Sequence, residues 1–356
     1  MESRGKNIFI VIKKNPYIAV IFMQFAYAGM ALLSKAAISQ GMNPYVFVAY
    51  RQAFATIALA PFAYFLERKE AADPLPYLVI GKIFLISLLG STLSMNLYSY
   101  AINYVSATFA SASINTIPAL TFVLSVIFRI ESLSITRVDG IAKVVGTVIS
   151  VSGAVVFALV KGPQVNFMNW SSEDTHAAAA SHLVMSAKDK LIQGCLLMIL
   201  ANAAWAWWLV MQAPLVKRYP AKFRLTLLQS LFSCMQSFVW AMAMERNLST
   251  WKLQWDLNLI SVAYCGVVVT GLVYWLQLCA VESKGPLFTA SFTPLALIIT
   301  AFISALVWKE ILHLGSICGG ILLVGGLYCV LWGKNKEVQV EANKDQQADS
   351  KAETIV

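Results

Sequence analysis

An interrupted apolar segment decides how this sequence is organised: residues 110–133, "ASASINTIPALTFVLSVIFRIESL". The segment is long enough to cross a bilayer, but its centre carries Asn115 and Pro118. Lipid offers no water to satisfy a polar side chain or the carbonyl that a proline leaves unpaired. A second segment, residues 290–312, "ASFTPLALIITAFISALVWKEIL", repeats this design with Pro294, 176 positions after Pro118. Such segments are tolerated in a membrane where they line a protein-enclosed, hydrated cavity.

The composition indicates an all-α polytopic membrane protein. Of the 356 residues, 58% are hydrophobic and only 13% are charged, which is far more apolar than one water-soluble core requires. Runs of about 20 mostly apolar residues, the length that crosses a bilayer, recur along the chain. They predict ten transmembrane helices, at residues 17–38, 45–66, 78–103, 106–128, 138–160, 191–211, 225–244, 257–280, 287–308 and 314–333.

The chain also contains an internal repeat. One long polar interruption, residues 161–190, separates five spans from five. The stretch "GTVISVSGAVVFALVK" (146–161) matches "GGILLVGGLYCVLWGK" (319–334) in its glycines and terminal lysine at an offset of 173. We therefore expect a first repeat of five helices over 17–160 and a second over 191–333.

An odd number of spans in each repeat predicts that the two repeats are inverted in the membrane. Glu67 and Glu245 end the second span of each repeat, 178 positions apart. Many secondary transporters use inverted repeats to place a substrate site near the midplane of the membrane. We expect the two proline-broken helices to face each other there, although proline kinks also occur in membrane helices that have no substrate role.

The distribution of positive charge predicts the orientation. The net charge of +9 comes from Lys and Arg beside the spans, which indicates positive-inside topology and not nucleic-acid binding. It places both termini in the cytosol, with 1–16 as an N-terminal segment and 334–356 as a disordered tail. Loop 161–190 and the glycosylation candidates Asn169 and Asn247 then lie outside the cytosol. The plasma membrane is the expected location, with the vacuolar membrane as the alternative.

Neither a metal site nor an enzyme is expected. The six cysteines lie inside predicted spans without any ligand spacing, and the three histidines cluster with nothing, so no metal and no cofactor is predicted. We find no HExxH, G-x-S-x-G, P-loop or GxGxxG motif. The loops are also too short to form a catalytic domain.

Two cations near the non-cytosolic ends of spans one and two are the charged candidates for a site. Lys35 and Arg51 flank a tight turn, while no predicted span contains Asp or Glu in its interior. A cavity with fixed cations and no fixed anions suits a carboxylate substrate, and it argues against a carboxylate-coupled pump. The alternative is that both side chains snorkel to the interface. Lys143, near a cytosolic end, is interpreted as a topology anchor.

Uncharged residues complete the predicted substrate site. Amide side chains in the spans need partners within the bundle. Tryptophan is either an interfacial residue or the wall of a cavity. The candidates are Gln24, Asn96, Asn115, Asn202 and Gln277 as polar groups, Pro118 and Pro294 as breaks in the backbone, and Trp205 and Trp275 as walls for the substrate side chain.

Motifs in both halves resemble one family. The first half contains "MQFAYAGMALLSKAA" (23–37) and "VFVAYRQAFATIALAPFAYFLERKE" (46–70), and the second contains "AYCGVVVTGLVYWLQLCAVESKGPLFTASFTPL" (263–295). These are similar to the plant EamA-type transporters of the drug/metabolite transporter superfamily, the nodulin-like, Walls-Are-Thin-related proteins or UMAMITs. The resemblance covers nearly the whole chain except 163–190 and the tail. It implies two inverted EamA repeats and movement of amino acids, with some relatives moving auxin.

The sequence thus predicts a transporter that works by alternating access. The expected substrates are amino acids or similar small carboxylate solutes, moved in both directions without coupling. Auxin or another organic metabolite, with proton coupling, is one alternative; a non-transporting structural or receptor-like protein is another. The expected partners are the lipid bilayer and the small carboxylate, without nucleic acid, and the sequence does not indicate an oligomeric state.

Overall fold

The computed structural model describes residues 15–67, 76–101, 104, 113–131, 137–159, 184–219, 221–308 and 314–355. This part of the chain forms helices and no strand. The helices are α1 (Pro16–Ser39), α2 (Pro44–Leu66), α3 (Tyr77–Ala101), α4 (Ile114–Ile127), α5 (Val138–Leu159), α6 (Val184–Arg218), α7 (Lys222–Met244), α8 (Leu257–Lys284), α9 (Pro286–Ser291 and Thr293–Trp308) and α10 (Leu314–Ile355).

These helices confirm the prediction of an all-α polytopic membrane protein. Within the described ranges, nine helices are long and apolar enough to cross a membrane, and α4 is a shorter apolar helix. Helix α4 occupies the position of the predicted fourth span, whose beginning at 106–112 lies outside the described residues.

Local sequence signals explain where several helices begin. Pro16, Pro44 and Pro286 occupy a first helical position, where the N–H that proline lacks has no helical partner in any case. Asn43 caps α2 by accepting the backbone N–H of Tyr45 at 2.9 Å. These signals place the first residues of α1, α2 and α9 close to the first residues of the predicted spans.

Helices α2 and α7 show directly that the two repeats are inverted. Glu67, at the C-terminal end of α2, accepts the backbone N–H groups of Phe223 and Arg224 at 2.8 Å each, at the N-terminus of α7. At the other end, Glu245 follows α7 and accepts the side-chain N–H of Asn43 at 2.8 Å. The corresponding second helices of the two repeats therefore run antiparallel, each ending beside the start of the other.

The last helices of the two repeats, α5 and α10, pack along each other over most of their shared length. Small residues let their backbones approach closely, as in other membrane helix pairs. A Cβ added at Gly146 would lie only 2.7 Å from the carbonyl oxygen of Gly326. This helix pair is the most extensive helix contact in the described chain, and we call it the scaffold pair.

Helices α3 and α8 each contain a π-helical segment, which the sequence did not predict. The segments are Ser87–Thr92 in α3 and Cys265–Val273 in α8, and their first residues are 178 positions apart. The first packs against α6 and α7, and the second packs against α1 and α2. Each repeat therefore places an irregular segment against the first two helices of the other repeat, and such segments are frequent at functional sites.

Two segments differ from the sequence prediction. The tail was expected to be disordered from residue 334, but α10 continues to Ile355. From residue 334 onward the chain has no glycine or proline, and it is rich in Lys, Glu, Gln and Ala, which favour helix. Helix α6 begins at Val184, inside the predicted linker 161–190, of which residues 161–183 lie outside the described residues.

Candidate functional site

Arg51 is the centre of the candidate site. Its side chain lies on α2 and is 8% exposed. Its Nε–H donates to Thr270 Oγ1 at 2.7 Å, and Nη2 donates to the hydroxyl of Tyr274 at 3.5 Å. Within the described ranges, no Asp or Glu oxygen lies within 4.0 Å of a guanidinium nitrogen of Arg51. The site thus presents a buried cation whose protein partners are neutral hydroxyls.

The π-helical segment of α8 brings Thr270 and Tyr274 to Arg51. Gly266 in this segment meets α2 so closely that an added Cβ would lie 2.7 Å from the carbonyl oxygen of Arg51 and 2.5 Å from Phe54 Cβ. The hydroxyl of Thr270 donates to the carbonyl of Cys265 at 3.1 Å while it accepts from Arg51. The irregular segment therefore fixes the hydroxyl of Thr270, and the α-helical part that follows it begins with Tyr274.

An aromatic cluster adjoins the cation. Trp205 and Trp208 on α6 stack with ring centroids 4.9 Å apart and planes at 25°. Tyr274 lies 5.5 Å from Trp205 and 5.2 Å from Trp208, measured between ring centroids. Because Tyr274 also accepts from Arg51, one tyrosine links the positive charge to an aromatic surface.

Two glutamines extend the site beyond Trp208. The indole N–H of Trp208 donates to Gln229 Oε1 at 3.2 Å. Gln229 in turn donates to Gln212 Oε1 at 2.9 Å, and Gln212 donates to the carbonyl of Trp208 at 3.1 Å. These three residues form a closed ring of hydrogen bonds that fixes the orientation of the indole.

The first helix contributes two polar side chains. The hydroxyl of Tyr27 donates to Gln277 Oε1 at 3.0 Å, which joins α1 to α8. Gln24, one turn earlier, is 2% exposed, and its carbonyl oxygen has no hydrogen-bond partner among the described residues. Gln277 therefore has a partner in the bundle, as expected, and Gln24 offers a buried acceptor.

The interrupted backbone of α4 is satisfied by the other repeat. Asn202 on α6 donates to the carbonyl of Ser113 at 2.7 Å, and its amide lies 3.4 Å from Thr116 Oγ1. The hydroxyl of Thr116 donates to the same Ser113 carbonyl at 2.7 Å. Asn115 and Pro118 are both buried in this region. The protein thus supplies the polar partners that lipid lacks.

The second broken helix meets the first. Helix α9 is interrupted at Phe292, just before Pro294, and its first piece packs against α4. Phe122 of α4 and Leu287 of α9 belong to one apolar cluster. The two proline-broken helices therefore contact each other through apolar side chains.

Three predicted site residues lie apart from this group. Lys35 is exposed, whereas Arg51 is buried. Trp275 stacks on Phe223, with ring centroids 4.6 Å apart and planes at 13°, among apolar residues of α1. Asn96 is fully buried and donates to the carbonyl of Thr92 at 2.8 Å, within its own helix. Among the described residues, Arg51 donates to Thr270 and Tyr274, so it forms no hydrogen bond with Lys35, Trp275 or Asn96, and none with Gln24, Asn115, Asn202 or Gln277.

The predicted site residues did not include six residues of this site: Tyr27, Trp208, Gln212, Gln229, Thr270 and Tyr274. The motif "YWLQ" at 274–277 was a usable signal, because it combines aromatic and amide groups in one span. Adjacent residues of a helix point in different directions, and a single sequence does not show which aromatic ring faces the bundle. The structure assigns that position to Tyr274.

The other predicted sites are peripheral or lie outside the described residues. Asn247 is exposed and begins a short 3₁₀ turn, Leu248–Trp251, after α7. Asn169 lies outside the described residues. Within the described ranges, no group of three or more His, Cys, Asp or Glu residues is placed to hold a metal ion.

Comparisons with known proteins agree with this architecture. The sequence profile of the EamA-like transporter family matches the chain twice, at residues 14–159 and 192–332. A WAT1-related protein of Arabidopsis thaliana is 51% identical over 331 residues, which cover 93% of this chain and 94% of the relative. A second WAT1-related protein of that plant is 46% identical over 329 residues, 91% of each chain. A solved crystal structure shares the fold with a TM-score of 0.67 at 13% identity, covering 90% of this chain and 98% of the solved one.

Proposed function

The chain belongs to the EamA-like transporter family, and we propose that it moves amino acids or similar small carboxylate solutes across a membrane by alternating access. Flux is facilitative and bidirectional, so that the solute follows its own gradient. Rocking of the two inverted repeats exposes a central site to each side in turn.

The observation that carries this proposal is the buried Arg51. A charged side chain deep in a membrane protein is energetically unfavourable and marks a functional site. Hydroxyl groups of Thr270 and Tyr274 orient this guanidinium but do not neutralise it. A planar guanidinium binds a carboxylate through two parallel hydrogen bonds, which supplies the missing negative charge.

The aromatic cluster beside Arg51 indicates that the solute is amphipathic. Trp205, Trp208 and Tyr274 offer ring faces next to the cation. An amino acid with an apolar side chain places its carboxylate on Arg51 and its side chain on these rings. The same geometry favours auxin, an aromatic carboxylate, as the second candidate substrate.

The orientation and location are also part of the proposal. The excess of Lys and Arg places both termini in the cytosol, with the Asn43 end of α2 on the outer side. Asn247 then lies outside the cytosol, where its exposed side chain is a candidate for glycosylation. We assign the protein to the plasma membrane, with the vacuolar membrane as the alternative.

The deciding experiment measures uptake and efflux of a labelled amino-acid panel and indole-3-acetic acid in cells that express the protein. Each flux is measured with and without an imposed pH gradient. Amino-acid flux in both directions that ignores the pH gradient supports the proposal. If indole-3-acetic acid alone is transported, the substrate assignment changes to that compound, and the proposed anion site at Arg51 stands. Strict dependence on the pH gradient overturns the facilitative mechanism.

A further inference from the structure

Four charged side chains meet at the predicted cytosolic ends of the helices: Glu131, Lys143, Lys334 and Glu337. Lys143 Nζ lies 2.5 Å from Glu337 Oε2 and 3.5 Å from Glu131 Oε2, and Lys334 Nζ pairs with Glu131 Oε1. Lys143 is fully buried, and both glutamates are 8% exposed. We call these four residues the charge cluster. Lys143 is therefore not a topology anchor that reaches solvent, as the sequence had indicated.

The charge cluster joins a broken helix to the scaffold pair. Lys143 belongs to α5, and Lys334 and Glu337 belong to α10. Glu131 is the one member that comes from the α4 segment, and it pairs with lysines of both scaffold helices. Glu131 therefore forms the ion pairs that link the end of α4 to α5 and α10.

The end of α4 is shaped to deliver this carboxylate. The N–H of Ile130 donates to the Ser125 carbonyl at 2.8 Å, and the N–H of Arg129 donates to the Val126 carbonyl at 3.0 Å. This is the Schellman pattern of a helix end, with Arg129 in the left-handed region at φ 55°. The turn reverses the chain and places Glu131 immediately afterwards, against the scaffold pair.

The second broken helix begins beside the same carboxylate. Gly285, with φ 86°, is the residue that separates α8 from α9. A Cβ added there would lie 3.0 Å from Glu131 Oε1 and 3.2 Å from Lys334 Nζ. The cluster thus contacts the end of α4 and the start of α9, which are the two helices interrupted by proline.

Behind the cluster, α4 carries two buried hydroxyl groups without partners. Thr121 and Ser125 are both 0% exposed, and neither side-chain oxygen has a hydrogen-bond partner among the described residues. Being four positions apart, they share one face of α4, between the break at Pro118 and Glu131. Buried hydroxyls are normally hydrogen-bonded, so each exception requires an explanation. Water reaching this face in a second conformation would satisfy both of them.

We propose that the charge cluster is the gate at this end of the transporter, and that the Thr121 and Ser125 face of α4 lines the path behind it. With Glu131 paired, α4 and α9 are held on the scaffold pair and the path is closed. Release of Glu131 lets both broken helices move away and admits water to the path. Forming these ion pairs required the desolvation of all four charges. Opening is feasible because water hydrates the charges again in the open state, which compensates for the lost ion pairs. This gate deepens the proposed alternating-access function and rests on it.

The test measures how fast a thiol at position 125 reacts with a membrane-impermeant maleimide. Ser125→Cys changes one buried hydroxyl into a thiol of similar size, and the reagent is added to either side of sealed membrane vesicles. Adding Glu131→Gln is expected to raise the modification rate from the cluster side by at least about fivefold, because the open population increases. Glu131→Asp keeps the charge and is expected to react at close to the parent rate. The same chain without Ser125→Cys gives the background from the six native cysteines.

A nearby ion pair provides the matched control. Asp139 Oδ1 lies 3.2 Å from Arg137 Nε; Asp139 is in the first turn of α5 and Arg137 directly precedes that helix, so this pair joins no two helices. Asp139→Asn should leave the modification rate unchanged. Equal rates in the Glu131→Gln variant and its parent, at equal amounts of protein, overturn the gate. If Glu131→Gln is not recovered in the membrane, the double variant Lys143→Gln with Lys334→Gln removes both lysine partners of Glu131 and tests the same release.

The labelling assay needs no substrate, so its result is independent of whether the proposed transport function is correct. Accelerated labelling without amino-acid flux supports the gate and overturns the substrate assignment. Normal amino-acid flux with unchanged labelling overturns the gate alone.

Discussion

The two repeats share one arrangement of helices but differ in charge at equivalent positions. Arg51 on α2 and Gln229 on α7 are 178 positions apart, the same offset that relates Glu67 to Glu245. Arg51 donates to hydroxyls of α8 in the second repeat. Gln229 has neutral partners, the indole of Trp208 and the amide of Gln212. One repeat thus supplies the cation of the site and the other supplies an amide.

This difference separates the requirements of movement from those of recognition. Alternating access requires two conformations of similar free energy, and inverted repeats provide them because each conformation resembles the other turned over. Recognition of an asymmetric solute requires a site with a defined positive end. Two repeats with equivalent helix arrangements but unequal charges meet both requirements. Mutations can therefore alter movement and recognition separately.

The largest effect is expected from making the two repeats alike. Arg51→Gln places the same residue at both equivalent positions and removes the one charged side chain of the site among the described residues. We expect amino-acid uptake below saturation to fall by at least about tenfold, because the substrate carboxylate loses its charged partner. Arg51→Ala should have a similar effect. Surface abundance should be unchanged, since the variant removes a buried cation that has no paired carboxylate among the described residues.

Lys35→Gln is the matched control for this change. Lys35 is also a cation of the first repeat, but it is exposed, whereas Arg51 is buried. Its removal should alter uptake far less than removal of Arg51. Uptake of an amino-acid amide, which lacks the carboxylate, should be similar in the parent and in Arg51→Gln. Parental uptake of the amino acid by Arg51→Gln, at equal surface abundance, would refute the role of Arg51.

The broken helices should respond alike, because they are equivalent in the two repeats. Pro118→Ala and Pro294→Ala each allow a continuous helix, and we expect maximal flux to fall about fivefold in each as the hinge stiffens. Pro61→Ala is the control, since Pro61 also lies inside a helix but is exposed. The measurement is flux per molecule at the surface together with the thermal midpoint of the purified protein. Parental flux in both hinge variants would show that these kinks are structural only.

Substitutions of Trp205 and Trp275, the two tryptophans predicted to line the substrate site, should have different effects on substrate selectivity. Trp205→Leu removes a ring that stacks on Trp208 and adjoins Tyr274, and it should weaken uptake of aromatic relative to aliphatic amino acids by about threefold. Trp275→Leu removes a ring that packs on Phe223, so it should change abundance and not this ratio. Competition between labelled leucine and unlabelled tryptophan measures the ratio. An equal change of the ratio in both variants would place Trp275 in the site after all.

The sequence predicted the spans and their repeat better than it predicted the site, for a physical reason. Apolar length and an odd number of spans follow from the bilayer and are visible in one chain, as are Arg51, Asn202 and the two prolines. Side-chain direction within an apolar helix is not visible there, because periodicity is weak when lipid and protein interior are equally apolar. Trp275 was therefore preferred to its neighbour Tyr274, and Lys143 was placed at the interface although it is buried. The π-helical segments carry no residue pattern that distinguishes them from α-helix.

The smallest effect is expected at the two glutamates that join α2 to α7, where the repeats differ only in detail. Glu67 is buried and accepts two backbone N–H groups at a helix N-terminus, whereas Glu245 is half-buried and accepts one side-chain N–H and one backbone N–H of its own turn. Charge-assisted bonds at a helix N-terminus contribute about 1.5–3 kcal/mol each, and exposed ones contribute less. Glu67→Gln should therefore lower the thermal midpoint of the purified protein by more than Glu245→Gln does. Neither change should alter the preference for aromatic over aliphatic amino acids, since both glutamates lie at helix ends away from Arg51. An equal decrease of the thermal midpoint in both variants would mean that the two glutamates stabilise the protein equally. A larger decrease for Glu245→Gln would contradict the assigned contacts.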